Sequence, residues 1–172
     1  MQVKLVSGIT SKLSRGGMAD YTAPFALPAR LAVVVVAAAG NCGCKQKIYP
    51  AAYKNVIAVA ATNNLDQKAS FSTYDARWVD VAAPGENIFS TFPNHAFVIG
   101  TNYGRSQNYD FANGTSMASP MTAATAALIW STPHGTSAAA VRSRLEQTAD
   151  KISGTGTYWF SGRVNVGAAV MP

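Results

Sequence analysis

The sequence predicts an α/β fold in which a mostly parallel sheet carries a buried helix, and three observations predict it. Residues 31–39 form an unbroken β-branched and alanine-rich run that stops at Gly40-Asn41. Two further apolar segments, 56–61 and 78–83, have the same character. Residues 117–130 are apolar almost all round and rich in alanine. Strands of a parallel sheet are covered on both faces and so read as continuous apolar runs rather than alternating ones. A helix without a polar face belongs in an interior.

Taken in order, the 31–39 strand ends where ligands gather in such sheets, at the carboxyl edge. The 56–61 and 78–83 strands are separated by the polar 62–68 turn, and Pro84-Gly85 closes the second. After the central helix, 138–148 reads as a docked surface helix. Its Val141, Leu145 and Ala149 share one face, with Arg142, Arg144 and Glu146 elsewhere and Thr136 or Ser137 as cap. Upstream, Pro24 and Pro28 argue against a continuous helix before the first apolar run. Without an internal repeat, low-complexity tract or linker, 1–172 reads as one domain.

Composition narrows the function classes. A chain of 172 residues, 48% hydrophobic and only 13% charged, is long enough for a sizeable core and too apolar for wholesale disorder. Fourteen Lys and Arg against eight Asp and Glu give +6. The basic residues are scattered, with only Lys45/Lys47 and Arg142/Arg144 close together, so a nucleic-acid patch is not expected. No apolar run approaches the roughly 18 residues that span a bilayer, so no membrane partner is expected, and the start lacks the pattern of a secretory leader. Cys42-Gly43-Cys44 is too closely spaced for an ordinary long-loop disulfide and has no second pair for zinc, so free thiols are expected.

The densest chemical signal is Asn113-Gly114-Thr115-Ser116-Met117-Ala118-Ser119-Pro120. Gly114 allows a sharp bend and a close substrate approach directly before the Ser116 hydroxyl. With Ser116 as N-cap, Pro120 falls four residues in and leaves the Ser116 carbonyl without its helical donor, so an irregular first turn is expected there. A bare Gly-Thr-Ser is more often an ordinary helix cap. The octet as a whole is far more specific.

These eight residues resemble the nucleophile motif of the subtilisin-like serine proteases. The segment Val33-Val34-Val35-Val36-Ala37-Ala38-Ala39-Gly40-Asn41 is similar to the family strand ending in Ala-Ala-Gly-Asn. Tyr49-Pro50-Ala51, Ala69-Ser70-Phe71-Ser72, Val79-Asp80-Val81-Ala82-Ala83-Pro84-Gly85 and the 148–159 segment agree in order, the last resembling calcium-dependent members. Leu13-Ser14-Arg15-Gly16-Gly17 resembles a worn form of the substrate-lining strand. The resemblance implies a partial subtilisin-like three-layer fold, with Ser116 as nucleophile and Asn41 as oxyanion donor beside the Ser116 backbone N–H. It also implies a substrate edge at Ala38, Ala39, Gly40 and Gly114. The partner implied is a peptide or protein substrate, and the setting is secreted.

A serine nucleophile needs a base, and the base an orienting carboxylate. In this family both precede the Ala-Ala-Gly-Asn strand, and neither motif is found here. The two histidines, His95 and His134, lie downstream of Asn41 and lack the motif's flanks, and Asp20 lacks the glycine of the Asp motif. The expectation is a serine endopeptidase domain represented by its C-terminal portion and inactive alone, or else a pseudoprotease or interaction module. Uncovered apolar faces then favour self-association. The chemistry needs no cofactor. By resemblance a structural calcium has candidate ligands at Asp80 and the carbonyls of Ala51, Tyr53 and Val56, since calcium takes such mixed oxygen donors. The competing reading of Asp80 is a solvated carboxylate or one paired with Arg77.

Overall fold

Every residue from Val34 to Ala39 and from Val56 to Ala61 is buried, which requires cover on both faces of these strands. The computed structural model describes residues 33–172 and the backbone of 2–6. The expectations for 13–17, Asp20, Pro24 and Pro28 lie outside the described residues.

In chain order the elements are β1 (Gln2–Val6), β2 (Val33–Ala38), β3 (Val56–Thr62), β4 (Val81–Pro84), β5 (Ile88–Thr91), α1 (Val98–Tyr103), β6 (Tyr109–Ala112), α2 (Thr115–Trp130), α3 (Ala138–Gln147), β7 (Gly162–Arg163) and α4 (Val166–Val170). One sheet has the order β1-β2-β3-β4-β7 with every pairing parallel. β5 and β6 form a separate antiparallel ribbon, Phe89 opposite Phe111, which leads straight into Asn113 and α2. The mixed α/β fold with a mostly parallel sheet is therefore the architecture expected from the sequence.

Alternation along the strands divides the interior. Val34, Val36, Ile57, Val59, Ala61, Val81 and Ala83 face the helices, meeting Ala118, Ala123, Ala126 and Ile129 of α2, Val141 and Leu145 of α3, and Ala169 of α4. Val35, Ala37, Ala51, Val56 and Ala58 form a second cluster with Tyr53 and Trp78. Ala39, Ala60, Val79, Ala82 and Trp159 form a third. Among the described residues, loops fill that second face where a three-layer fold would place helices. The alanines of the strands and of α2 let backbones approach closely, and on the other face fully buried Trp159 packs against Ala39, Ala60 and Ala82.

Several boundaries differ from expectation for identifiable reasons. The third apolar segment pairs only from Val81, because Trp78 and Val79 donate their N–H groups to the Asp75 carbonyl in a turn. Pro84 remains in β4, since β7 pairs only with Val81 and Ala82 and asks nothing of Pro84. Ser116 is not the N-cap. The helix starts at Thr115, with Gly114 in that role, and the Met117 N–H closes a tight turn on the Gly114 carbonyl at 3.0 Å. Pro120 lies inside α2, so the Ser116 carbonyl does lack its i+4 donor. Ser137 caps α3 by accepting from the Ala140 N–H. Met121 and Leu128 leave one side of α2 exposed, so it is buried on the sheet side only.

Candidate active site

Two glycines bring the turn before Ser116 onto the sheet. The Gly114 N–H donates to the Gly85 carbonyl at 2.8 Å, just past the carboxyl end of β4. A Cβ on Gly85 would lie 2.8 Å from the Gly114 carbonyl oxygen and 2.6 Å from the Ala61 Cβ, so only glycine admits this approach. Gly114 itself has φ 153°, a conformation side chains rarely adopt. The turn is further held by the Asn113 side chain, whose Oδ1 accepts from the Asn87 N–H at 2.6 Å.

Across from it, the end of β2 is tied to the same turn. The Asn41 Oδ1 accepts from both the Thr115 N–H and the Thr115 hydroxyl, each at 2.9 Å, and the Thr115 Oγ1 accepts from the Gly40 N–H at 3.1 Å. A backbone N–H can only donate, so the Asn41 oxygen must face Thr115. Its Nδ2 is the remaining end, and it lies close to Gly114: a Cβ built there would be 3.5 Å away. Asn41 is thus exposed, oriented and next to Gly114, which precedes the Thr115 and Ser116 hydroxyls. Ser116 stands in the first turn of α2, half-buried, with its backbone N–H among the unpaired donors of a helix start. Two donors beside one hydroxyl can stabilise an oxyanion formed at a carbonyl that the hydroxyl attacks.

Of the other site residues, Ala38 and Ala39 are buried at the end of β2, Ala39 donating to the Val59 carbonyl at 2.9 Å. The Gly40 backbone is committed on both sides, its carbonyl accepting from the Thr73 N–H at 2.9 Å. The histidines point elsewhere. His95 contacts the Asn94 Oδ1 at 3.2 Å, and His134 contacts the Met171 carbonyl at 3.0 Å rather than being merely solvated. Among the described residues, none is hydrogen-bonded to the Ser116 hydroxyl. The sequence reading overlooked Thr115 as an organiser, although it stands within the octet, and it overlooked Thr73 and Gly85.

The cysteines are a correction. Cys42 and Cys44 form a disulfide, not free thiols, because the bend after Asn41 turns the two side chains to the same side across a Cα separation of 5.1 Å. The pairing of Asp80 with Arg77 is also replaced. Arg77 binds Asp75, holding that carboxyl down at about 2, while Asp80 binds Arg142 of α3.

Three of the candidate calcium ligands, Asp80, Val56 and Tyr53, are engaged within the chain. One Asp80 oxygen is bonded to Arg142, the other accepts from the Ala58 N–H at 2.7 Å, and Arg142 also donates to the Val56 carbonyl at 3.1 Å. The Tyr53 carbonyl accepts from the Val56 N–H at 3.2 Å. A guanidinium already serves Asp80, the one charged candidate ligand, and the Val56 carbonyl, so these two oxygens do not fit calcium. Burial pushes the Asp80 carboxyl up to about 6, against the pull of Arg142 and the Ala58 N–H. No group of three or more His, Cys, Asp or Glu side chains is gathered for a metal among the described residues, and no described helix is long and apolar enough to cross a membrane.

A parallel α/β sheet, a serine at the head of a helix docked on it, and an asparagine amide at the neighbouring strand end thus meet at the carboxyl edge of the sheet. The sequence pattern of the subtilase family matches residues 6–163, and the chain belongs to that family. It is 52% identical over 137 residues to thermitase of Thermoactinomyces vulgaris, covering 80% of this chain and 44% of that protein. It is 49% identical over 132 residues to a thermophilic serine proteinase of Bacillus sp. (strain AK1), covering 77% of this chain and 29% of that protein. Against subtilisin DY of Bacillus licheniformis the figures are 43% over 141 residues, 80% and 46%. The chain therefore spans less than half the length of these relatives. A lanthipeptide protease crystal structure superposes with a TM-score of 0.70 at 24% identity, covering 83% of this chain and 51% of that one, which shows the shared fold.

Proposed function

We propose that this chain carries the nucleophile and oxyanion half of a serine endopeptidase site that hydrolyses peptide bonds through an acyl-enzyme. Ser116 attacks the carbonyl carbon, and the Asn41 Nδ2 and the Ser116 N–H receive the negative charge on its oxygen. Ala38, Ala39, Gly40 and Gly114 line the approach of the peptide or protein substrate. The base that takes the Ser116 proton and the carboxylate that orients it come from outside the described residues. The observation that carries this reading is the double hydrogen bond from Thr115 to Asn41, which aims the amide beside the nucleophile. The Cys42–Cys44 disulfide supports an oxidising, secreted setting.

The chain alone is then nearly inactive, because the members of a triad act together and losing one costs on the order of 10⁴- to 10⁶-fold. The partners of His95 and His134 favour a second reading, a pseudoprotease or interaction module without a base. Supplying in trans the part of a related protease that bears its Asp and His separates the two. Restored hydrolysis that Ser116→Ala abolishes, and that Asn41→Ala lowers roughly 10²- to 10³-fold in kcat with little change in KM, supports the endopeptidase. A kcat that Asn41→Ala leaves unchanged removes Asn41 from the site.

A further inference from the structure

Asn41 is the residue at which the chain turns away from β2, and the residues after it, with the Gly40 carbonyl before it, are fastened to the 70–74 segment. Thr73, fully buried, grips both sides of it: its N–H donates to the Gly40 carbonyl at 2.9 Å, and its Oγ1 accepts from the Cys42 N–H at 3.3 Å. The Gly43 N–H donates to the Phe71 carbonyl at 2.7 Å, and the Cys44 carbonyl accepts from the Tyr74 N–H at 3.1 Å. Gly43 runs so close to that segment that a Cβ would lie 2.9 Å from the Ser70 carbonyl oxygen. The disulfide between Cys42 and Cys44 closes this bend one residue after Asn41, and the Cys42 Sγ itself contacts the Thr73 Oγ1 at 3.2 Å.

A ring of three residues restricts an unfolded chain far less than a long loop does, so such a bridge adds little to global stability by that route. Its effect is local. It is also reachable, since Cys42 is exposed, and an exposed disulfide is open to attack by an external thiolate.

We propose that the Cys42–Cys44 disulfide is a positioning element for Asn41 and makes the aim of its amide depend on thiol–disulfide state. The role assigned to that amide rests on the endopeptidase reading. The chemistry is exchange with a small thiol. One thiolate attacks the Cys42 sulfur and expels the Cys44 thiolate, leaving a mixed disulfide. A second thiolate attacks the external sulfur and releases Cys42. The two external thiols lose two electrons and become one disulfide, while Cys42 and Cys44 gain them with two protons and become thiols. The bend then keeps only its hydrogen bonds, and the Asn41 side chain leaves Thr115 more often.

The test is amide NMR on the full chain, oxidised and then reduced with dithiothreitol. On reduction the Asn41 side-chain NH₂ resonance is expected to shift and broaden. The Thr115 amide, which donates to Asn41, is expected to exchange with solvent at least about tenfold faster. Val59 and Val81 amides in the sheet stay as they were, and reoxidation restores the first signals. The double variant Cys42→Ser/Cys44→Ser gives the reduced spectrum with or without reductant. Unchanged Asn41 and Thr115 signals overturn the proposal. So does equal acceleration at Val59 and Val81, which makes the bridge a general staple. None of these signals needs catalysis. If they change as expected while Asn41→Ala leaves the completed enzyme unaffected, the positioning stands and the endopeptidase reading fails.

Discussion

Thr115 and Asn41, separated by 74 residues in the chain, are joined by two hydrogen bonds of 2.9 Å to a single oxygen. That oxygen is thereby spent on the scaffold, and the amide nitrogen is the end left for a ligand. The Thr115 hydroxyl also satisfies the Gly40 N–H, so one buried side chain couples the end of β2 to the start of α2.

Replacing Thr115 by Val keeps the shape and removes both hydroxyl contacts. The Gly40 N–H is left unpaired in the interior, at a cost of about 1–3 kcal/mol. In the complemented enzyme, kcat is expected to fall between about tenfold and 10²-fold with KM nearly constant, because misplaced donors weaken the transition state. Denaturant unfolding and steady-state kinetics on the same variant check both halves. An unchanged kcat means the Thr115 N–H alone holds Asn41.

Gly85→Ala tests the close approach of the end of β4 to the turn before Ser116. Its Cβ meets two neighbours under 3.0 Å, one of them the Gly114 carbonyl, so Gly114 must move. Destabilisation of about 1–3 kcal/mol is expected from overpacking, together with loss of the restored activity. Wild-type stability in this variant rules out the tight contact.

Asp80 sets a pH dependence of definite sign. Its carboxyl titrates near 6 in the folded chain, above its ordinary value of 3.8. Between about pH 4 and 6 the folded state therefore binds more protons than the unfolded one, and Asp80 makes stability fall as pH rises through that window. The slope it contributes is at most about 1.4 kcal/mol per pH unit, the limit for one proton. Unfolding free energies measured from pH 4 to 7 should show this slope in the parent chain and lack it in Asp80→Asn. A parent profile that rises with pH to the same degree reverses the assignment.

Exposed apolar groups point to association. Met121 and Leu128 are 37% and 48% exposed on α2, and Phe89, Tyr109 and Phe111 cluster on the ribbon that leads to Ser116. Uncovered apolar patches beyond about 400 Å² promote association. Sedimentation is expected to show oligomers, with strong binding of a hydrophobic dye. A dye-silent monomer with a sharp unfolding transition shows that the chain closes its own core.

Several features of this chain follow from local chemistry alone. Unbroken apolar runs at 31–39 and 56–61 require cover on two faces and so a parallel sheet, and the alanine-rich 117–130 segment marked a helix against that sheet, although the structure buries only its sheet side. Gly114 before Ser116, and Gly40-Asn41 at a strand end, marked the two halves of the candidate site, since glycine is needed wherever backbone must bend or approach. Partner choice follows from the packed fold instead. Thr115 meets Asn41 across 74 residues, and Asp80 meets Arg142 across 62 rather than Arg77 close by. Cys42 and Cys44 are paired by a bend held from the 71–74 segment, not by their spacing. A side chain's propensity is written in its own neighbourhood. The atom it finally bonds is fixed by strand register and helix docking, which depend on the whole packed interior.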